Sequence, residues 1–290
     1  MTIEKMNYSD LNKIAELDKE CFNRKEKKTK ARIEELFIIG NDCSFVVKEN
    51  DIIIAYLFTH VFGNIASIGP IGVSPNLQRQ GIGRQLVNYT IEHLRNKGIN
   101  KIYLEVLPDK LYNIGFYSRM GFRLVKPTIQ YGTNNMTNPL SNRYKYIDGN
   151  EIDKNELYEL LKRISIVTKG VSFELDLSRV IENDPHQVLF IYDKAKIVGF
   201  LCYYEKMYDY VFGYIEQTVS VYEALYTFCN YIKKRTKRES LSLRINPSDL
   251  MLDCKTIKHL TVEKVLLRME LCEKLSDKGT PCGIIRSYIG

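Results

Sequence analysis

Apolar and polar positions in residues 1–127 alternate between strand-like and helix-like periods. Apolar spacing predicts helices after Ser9, over 31–39, and over the run GRQLVNYTIEHLRN, which Gly98 would terminate. A short helix is expected at KLYNIGFYSRMG. The β-rich runs that predict strands are TIEKM, SFVVKEN, IIIAYLFTHVF, NIASIGPIGV, NKIYLEVL and FRLV. We therefore expect a mixed α/β domain over residues 1–127.

A similar order returns in the second half of the chain. The run VLFIYDKAKIVGFLCYY aligns with SFVVKENDIIIAYLF at a constant offset, and it is followed by a strand, a helix and a strand. Residues 128–142 are polar and rich in turn formers, which predicts a linker. We expect a duplicated scaffold, with the second copy at 143–290, although a chance likeness of two α/β hairpins is the alternative.

Charge and composition change this picture little. The chain of 290 residues has 42 Lys and Arg against 35 Asp and Glu, a formal net charge of +7. That balance permits an anionic ligand, and the two basic runs lack the interleaved aromatic residues of a single-strand binding groove. We therefore expect no nucleic-acid partner.

The cysteines and histidines give no support for a metal site. Seven cysteines are scattered without a C-x-x-C pair, and four histidines form no H-x-x-x-H pair. No run approaches the about 20 apolar residues of a membrane span, and the start lacks an apolar leader. The expectation is a cytoplasmic protein, monomer or homodimer, without metal or membrane contact.

The stretch QRQGIG, residues 78–83, carries the strongest chemical signal. It follows a predicted strand and precedes a predicted helix, whose start exposes unpaired amide groups with a partial positive charge. Gly81 and Gly83 would let a phosphate approach the backbone closely. The spacing fits neither a P-loop nor the dinucleotide fingerprint, so a plain turn is the alternative.

The residues around this stretch resemble a known pattern. V73-S-P-N-L-Q78-R-Q-G81-I-G83 resembles motif A of the GCN5-related N-acetyltransferases (GNAT family), V-x-P-x-x-[QR]-x-x-G-x-[GA]. Further on, L104-E-V…F116-Y-S-R-M-G-F122 resembles the family's second signature, closest to its ribosomal-protein N-terminal acetyltransferase branch. The resemblance covers roughly residues 1 to 126, and the second half lacks the glycine loop.

The resemblance implies a largely antiparallel mixed sheet, flanked by helices, whose fourth and fifth strands separate to admit acetyl-CoA. It implies an N-acetyltransferase that moves the acetyl group directly to a primary amine of a small molecule or peptide. The implied cofactor contacts are Ile71, Gly72, Val73, Gln78, Arg79, Gln80, Gly81, Ile82, Gly83, Arg84 and Asn113.

Two side chains receive catalytic roles from the resemblance. Tyr117 matches the tyrosine that protonates the leaving thiolate, with core packing as the alternative. Glu105 is the candidate base, because the predicted fourth strand contains no acidic or histidine residue. Strand parity places it on the face of Tyr103, opposite Leu104, where it could instead be an ordinary half-exposed charge. A chain of waters on backbone carbonyls is a further candidate for the base.

One departure from the branch leaves the acceptor open. Lys110 stands where an asparagine is usual, so Asn113 is assigned the pantetheine contact instead. This departure puts the protein N-terminus as substrate in doubt, and the absent fourth-strand base keeps a second function open. That alternative is a non-catalytic regulatory protein that binds acyl-CoA.

Overall fold

The structure is a computed structural model that describes residues 1–134, 136–137, 143–206, 210–236, 238–245, 252, 254–271 and 283–285. The helices are α1 Leu11–Cys21, α2 Lys30–Ile39, α3 Ile82–Asn96, α4 Leu111–Ser118, α5 Lys154–Val167, α6 Glu174–Asn183, α7 Val221–Thr236 and α8 Cys254–Ile257. Within these ranges, no helix is long and apolar enough to cross a membrane.

Thirteen strands form two sheets in the described part of the chain. The strands of the first half are β1 Thr2–Lys5, β2 Phe45–Glu49, β3 Ile52–Phe62, β4 Ile65–Val73, β5 Lys101–Val106 and β6 Phe122–Gly132. Those of the second half are β7 Lys145–Asp148, β8 Val188–Asp193, β9 Lys196–Cys202, β10 Phe212–Ile215, β11 Ser242–Ile245, β12 Thr261–Leu271 and β13 Gly283–Ile285.

The larger sheet has the order β1-β2-β3-β4-β5-β12-β6-β11, and the smaller one has the order β13-β10-β9-β8-β7. Neighbouring strands run mostly antiparallel, whereas β4 and β5 run parallel. The predicted fold class, a largely antiparallel mixed sheet flanked by helices, is therefore confirmed. The turn between β2 and β3 has Asn50 and Asp51 at φ 49° and 62°.

The strands cross the domain boundaries that the sequence predicted. Residues 128–132, expected to begin a linker, are the last part of β6 and pair with both β11 and β12. The later residues of that segment fall mostly outside the described ranges. Strand β12, which lies between β5 and β6, comes from the second half. The larger sheet thus joins residues from both halves.

Buried contacts also connect the two halves. His60 Nε2 lies 2.9 Å from Asp176 Oδ1, and both side chains are almost fully buried. Arg179 donates to Glu35 across 2.8 Å. One hydrophobic cluster contains residues of α1, α2 and β3 together with residues of α5, α6, β8 and β9. The halves therefore share a core.

Candidate functional site

A gap opens between β4 and β5 within the larger sheet. The two strands pair through Ile65–Ser67 of β4 and Lys101–Tyr103 of β5. Beyond Ser67, β4 remains paired with β3 as far as Val73, and β5 pairs with β12 as far as Val106. Each strand thus keeps its outer partner while the two separate from one another, as the resemblance implied.

The glycine loop lies at the end of β4 and forms the start of α3. Arg79 has φ 66° and Gly81, the N-cap residue, has φ 88°, a conformation that favours glycine. No side chain caps this helix. Because the first amides of an α-helix have no intrahelical partner, this start presents donors and a partial positive charge to the exposed loop.

Gly83 brings the helix start close to two other elements. A Cβ atom at this position would lie 3.5 Å from Val73 Cγ2 and 3.7 Å from Phe116 Cζ. Gln78 Nε2 donates to the carbonyl oxygen of Val73 at 3.1 Å. The end of β4, the loop 78–84 and α4 therefore lie close together at one end of the gap between β4 and β5.

Tyr117 lies on α4 on the same side of the sheet as α3. It is buried in the cluster that contains Leu104 and Leu86, and its ring packs edge-on against Phe116 and Phe122. Burial raises the pKa of its phenol well above the ordinary value. The phenol therefore stays protonated at neutral pH and can donate a hydrogen bond.

Glu105 lies on the opposite face of β5. Its neighbours Leu104 and Val106 belong to the α3 cluster, whereas Tyr103 belongs to the other one, as strand parity predicted. The Glu105 side chain is only 1% exposed and accepts a hydrogen bond from the Thr128 hydroxyl. Glu105 and Tyr117 therefore lie on either side of β5.

Two arginines near Glu105 were not found by sequence reasoning. Arg268 of β12 and Arg244 of β11 place guanidinium nitrogens 3.6 Å and 4.0 Å from the Glu105 carboxylate. Arg268 lies in the β-rich run VLLRMEL, and a charged residue among apolar ones requires a partner. This position is the one sequence signal that could have identified it.

The remaining predicted residues are distributed around the loop. Ile71 and Gly72 pair with Leu57 and Tyr56 of β3 at the end of β4. Asn113 is exposed in the first turn of α4, with its amide bonded to the Lys110 carbonyl. The exposed residues of the loop are Gln78, Arg79, Gln80, Gly81 and Arg84, while Ile82 is buried.

Cys21 is a second group near β4 that sequence reasoning did not place. It ends α1, and its Sγ lies 3.2 Å from the carbonyl oxygen of Val73. Burial, together with nearby Glu20 and Asp18, raises the pKa of this thiol to about 12. It is therefore protonated at neutral pH and is a poor nucleophile.

The equivalent helix of the second half begins differently. The Glu223 carboxylate of α7 accepts from the backbone amides of Arg143 and Tyr144, at 2.9 Å and 3.3 Å. The Tyr144 hydroxyl accepts from the amide of Ser220, and the Ser220 hydroxyl from the amide of Glu223. The hydroxyl oxygens of Ser220 and Tyr144 therefore accept from backbone amides at the start of α7, whereas no side chain caps the start of α3.

The described ranges contain no group of three or more His, Cys, Asp or Glu residues arranged to hold a metal ion. The candidate site is accordingly built from backbone amides, two glycines, a buried phenol and a carboxylate held between arginines.

Comparisons with known proteins match part of the chain to a known family. The profile of the acetyltransferase (GNAT) family matches residues 11–122. The [ribosomal protein bS18]-alanine N-acetyltransferase of Escherichia coli K12 is 33% identical over 79 residues, 27% of this chain and 53% of that protein. The chain thus spans about half the length of this curated relative.

Solved structures resemble nearly the whole chain in fold. A protein of Pyrococcus horikoshii gives a TM-score of 0.70 at 16% identity, covering 98% of this chain and 94% of that one. A tandem GNAT protein from the clavulanic acid biosynthesis pathway gives 0.62 at 10% identity, covering 95% and 99%. The family match shows a GNAT acetyltransferase domain over residues 11–122, and the likeness to these structures shows the fold of the chain.

Proposed function

We propose that the chain is an acetyl-CoA-dependent N-acetyltransferase with one cofactor site, at the start of α3 and in the gap between β4 and β5. The observation that carries the proposal is the open start of α3 beside that gap, since exposed helix amides bind phosphate groups. Arg79 and Arg84 add positive charge at the pyrophosphate. In this proposal residues 1–127 carry the site, and residues 143–290 form a second scaffold without a cofactor loop.

The acceptor amine attacks the thioester carbonyl carbon directly. A C–N bond forms, negative charge develops on the carbonyl oxygen, and the C–S bond then breaks to leave a thiolate. In the proposal an amide of residues 71–73 donates to the developing oxyanion. The raised pKa of the Cys21 thiol argues against an acyl-cysteine intermediate at that position, and so favours direct transfer.

Tyr117 is assigned to the leaving thiolate. Its raised pKa keeps the phenol protonated, so we assign it a hydrogen bond to the developing thiolate as the C–S bond breaks. The net proton on sulfur can come from the acceptor amine.

Glu105 is assigned to the acceptor amine, which must lose a proton before or during attack because an alkyl ammonium has a pKa near 10.4. With its side chain 1% exposed, Glu105 would act through an intervening water. The acceptor is a primary amine of a small molecule or peptide. The likeness to the bS18-alanine enzyme makes an alanine-initiated peptide one acceptor to test.

The test is thiol release from acetyl-CoA with four amines: an alanine-initiated peptide, lysine amide, spermidine and kanamycin. We expect turnover with at least one, and a fall in kcat of about 100-fold or more in Tyr117→Phe, with little change in the KM for acetyl-CoA. Tyr112→Phe is the matched control, because Tyr112 is 63% exposed on the same helix.

One observation favours a second candidate function. The Glu105 carboxylate is buried beside two arginines, and such a cluster can serve the packing of the sheet alone, which suits a non-catalytic protein that binds acyl-CoA as a regulator. Binding of acetyl-CoA without thiol release on any amine would support that alternative. Absence of binding would contradict both functions.

A further inference from the structure

The cluster around Glu105 is made by residues from both halves of the chain. Glu105 belongs to β5, and its direct neighbour across the β5–β12 ladder is Arg268. The Arg268 and Arg244 side chains are 7% and 6% exposed, and that of Glu105 is 1% exposed. All three charges are therefore removed from solvent.

Both guanidinium groups are held in place by further contacts. The Arg268 guanidinium lies over the ring of Tyr103, 4.8 Å from its centroid. Arg244 Nε donates to Gln130 Oε1 at 2.7 Å, and its guanidinium lies 4.6 Å from the centroid of Tyr210. A guanidinium fixed in this way restricts the positions that a neighbouring carboxylate can take.

We propose that Arg268 is a positioning residue for acetyl transfer, which acts through Glu105. The second half of the chain would thereby complete the active site that the first half begins. Without Arg268, the Glu105 carboxylate would keep only the more distant Arg244 and the Thr128 hydroxyl as partners, and it could turn toward them. Turned in that way, Glu105 could not receive a proton from the acceptor amine. This inference rests on the proposed function.

Another ion pair between the halves serves as a matched comparison. Arg179 of α6 and Glu35 of α2 lie 2.8 Å apart, with side chains 25% and 6% exposed, on elements that contribute nothing to the candidate site. If Arg268 only stabilised the contact between the two halves, replacing Arg268 and replacing Arg179 would affect the protein in the same way.

The experiment measures kcat, the KM for acetyl-CoA and thermal unfolding on the full chain, with the best amine of the panel. Arg268→Gln is expected to lower kcat by about 10- to 100-fold, with the KM for acetyl-CoA within about two-fold of wild type. Arg268→Lys, which keeps the charge, should recover part of the loss. Arg179→Gln should lower the unfolding temperature without lowering kcat.

The double variant decides whether Arg268 acts through Glu105. In the Glu105→Gln background, Arg268→Gln should lower kcat no further, because the group that it positions is gone. If Arg268→Gln does not fold, as judged by circular dichroism, Arg268→Lys replaces it in both backgrounds.

An unchanged kcat in the Arg268 variant, or an equal further loss in the Glu105→Gln background, would overturn the inference while leaving the proposed function intact. A wild-type chain that releases no thiol with any amine would overturn the proposed function, and the inference with it.

Discussion

Gly83 is the residue at which the proposed cofactor loop can be blocked with least disturbance to the protein. A Cβ at Gly83 would make only ordinary contacts with Val73 and Phe116, whereas Gly81 has a positive φ that other residues adopt at a cost. A large side chain at Gly83 would project into the space where a phosphate must approach the amides.

We predict that Gly83→Trp lowers the affinity for acetyl-CoA by at least about 100-fold, or roughly 3 kcal/mol, and leaves the fold intact. Isothermal calorimetry measures the affinity and circular dichroism the fold. Asn88→Trp is the control, because it adds the same bulk at an exposed position of the same helix. Equal affinity in both variants would show that the loop does not hold the cofactor.

Residue-level prediction succeeded where the chemistry is local. The helix start after the glycine loop and the face of β5 that carries Glu105 both follow from neighbouring residues. The two arginines beside Glu105 could not be predicted from neighbouring residues. Arg244 and Arg268 reach Glu105 through strand pairing with a distant part of the chain. Sequence spacing contains no information on that register.

At the scale of elements, α3 and α7 show how related scaffolds can differ in ligand binding. The start of α3 is uncapped, while amides at the start of α7 donate to the hydroxyls of Ser220 and Tyr144. The sequence predicted both helices and the missing second glycine loop. It did not predict that the Glu223 carboxylate accepts from the amides of Arg143 and Tyr144, because those amides belong to another segment.

We predict that Glu223→Ala lowers the free energy of unfolding by about 1–3 kcal/mol, because the amides of Arg143 and of buried Tyr144 lose their acceptor. Urea denaturation measures this loss. Glu223→Gln, which keeps an acceptor oxygen, should lose less. Neither change should alter the affinity for acetyl-CoA, and a weakened affinity would place a ligand at the second helix.

At the scale of the whole molecule, β12 determines how the two halves depend on one another. This strand of the second half pairs with β5 along Ile102–Val106, which includes the residues after Tyr103 that no longer pair with β4. The backbone of β5 is thereby paired on the β12 side, while its other side faces the gap toward β4. The repeated order of elements predicts a duplicated scaffold, but it could not predict a shared sheet, because strand order depends on contacts between distant segments.

The central claim is that two related scaffolds share one cofactor site, at the loop before α3. Calorimetric titration of the full chain with acetyl-CoA tests it most directly, through the number of sites per chain in wild type and in Gly83→Trp. We predict one site per chain in wild type and no measurable binding in Gly83→Trp. Two sites per chain, no binding by wild type, or an unchanged site in Gly83→Trp would contradict the account.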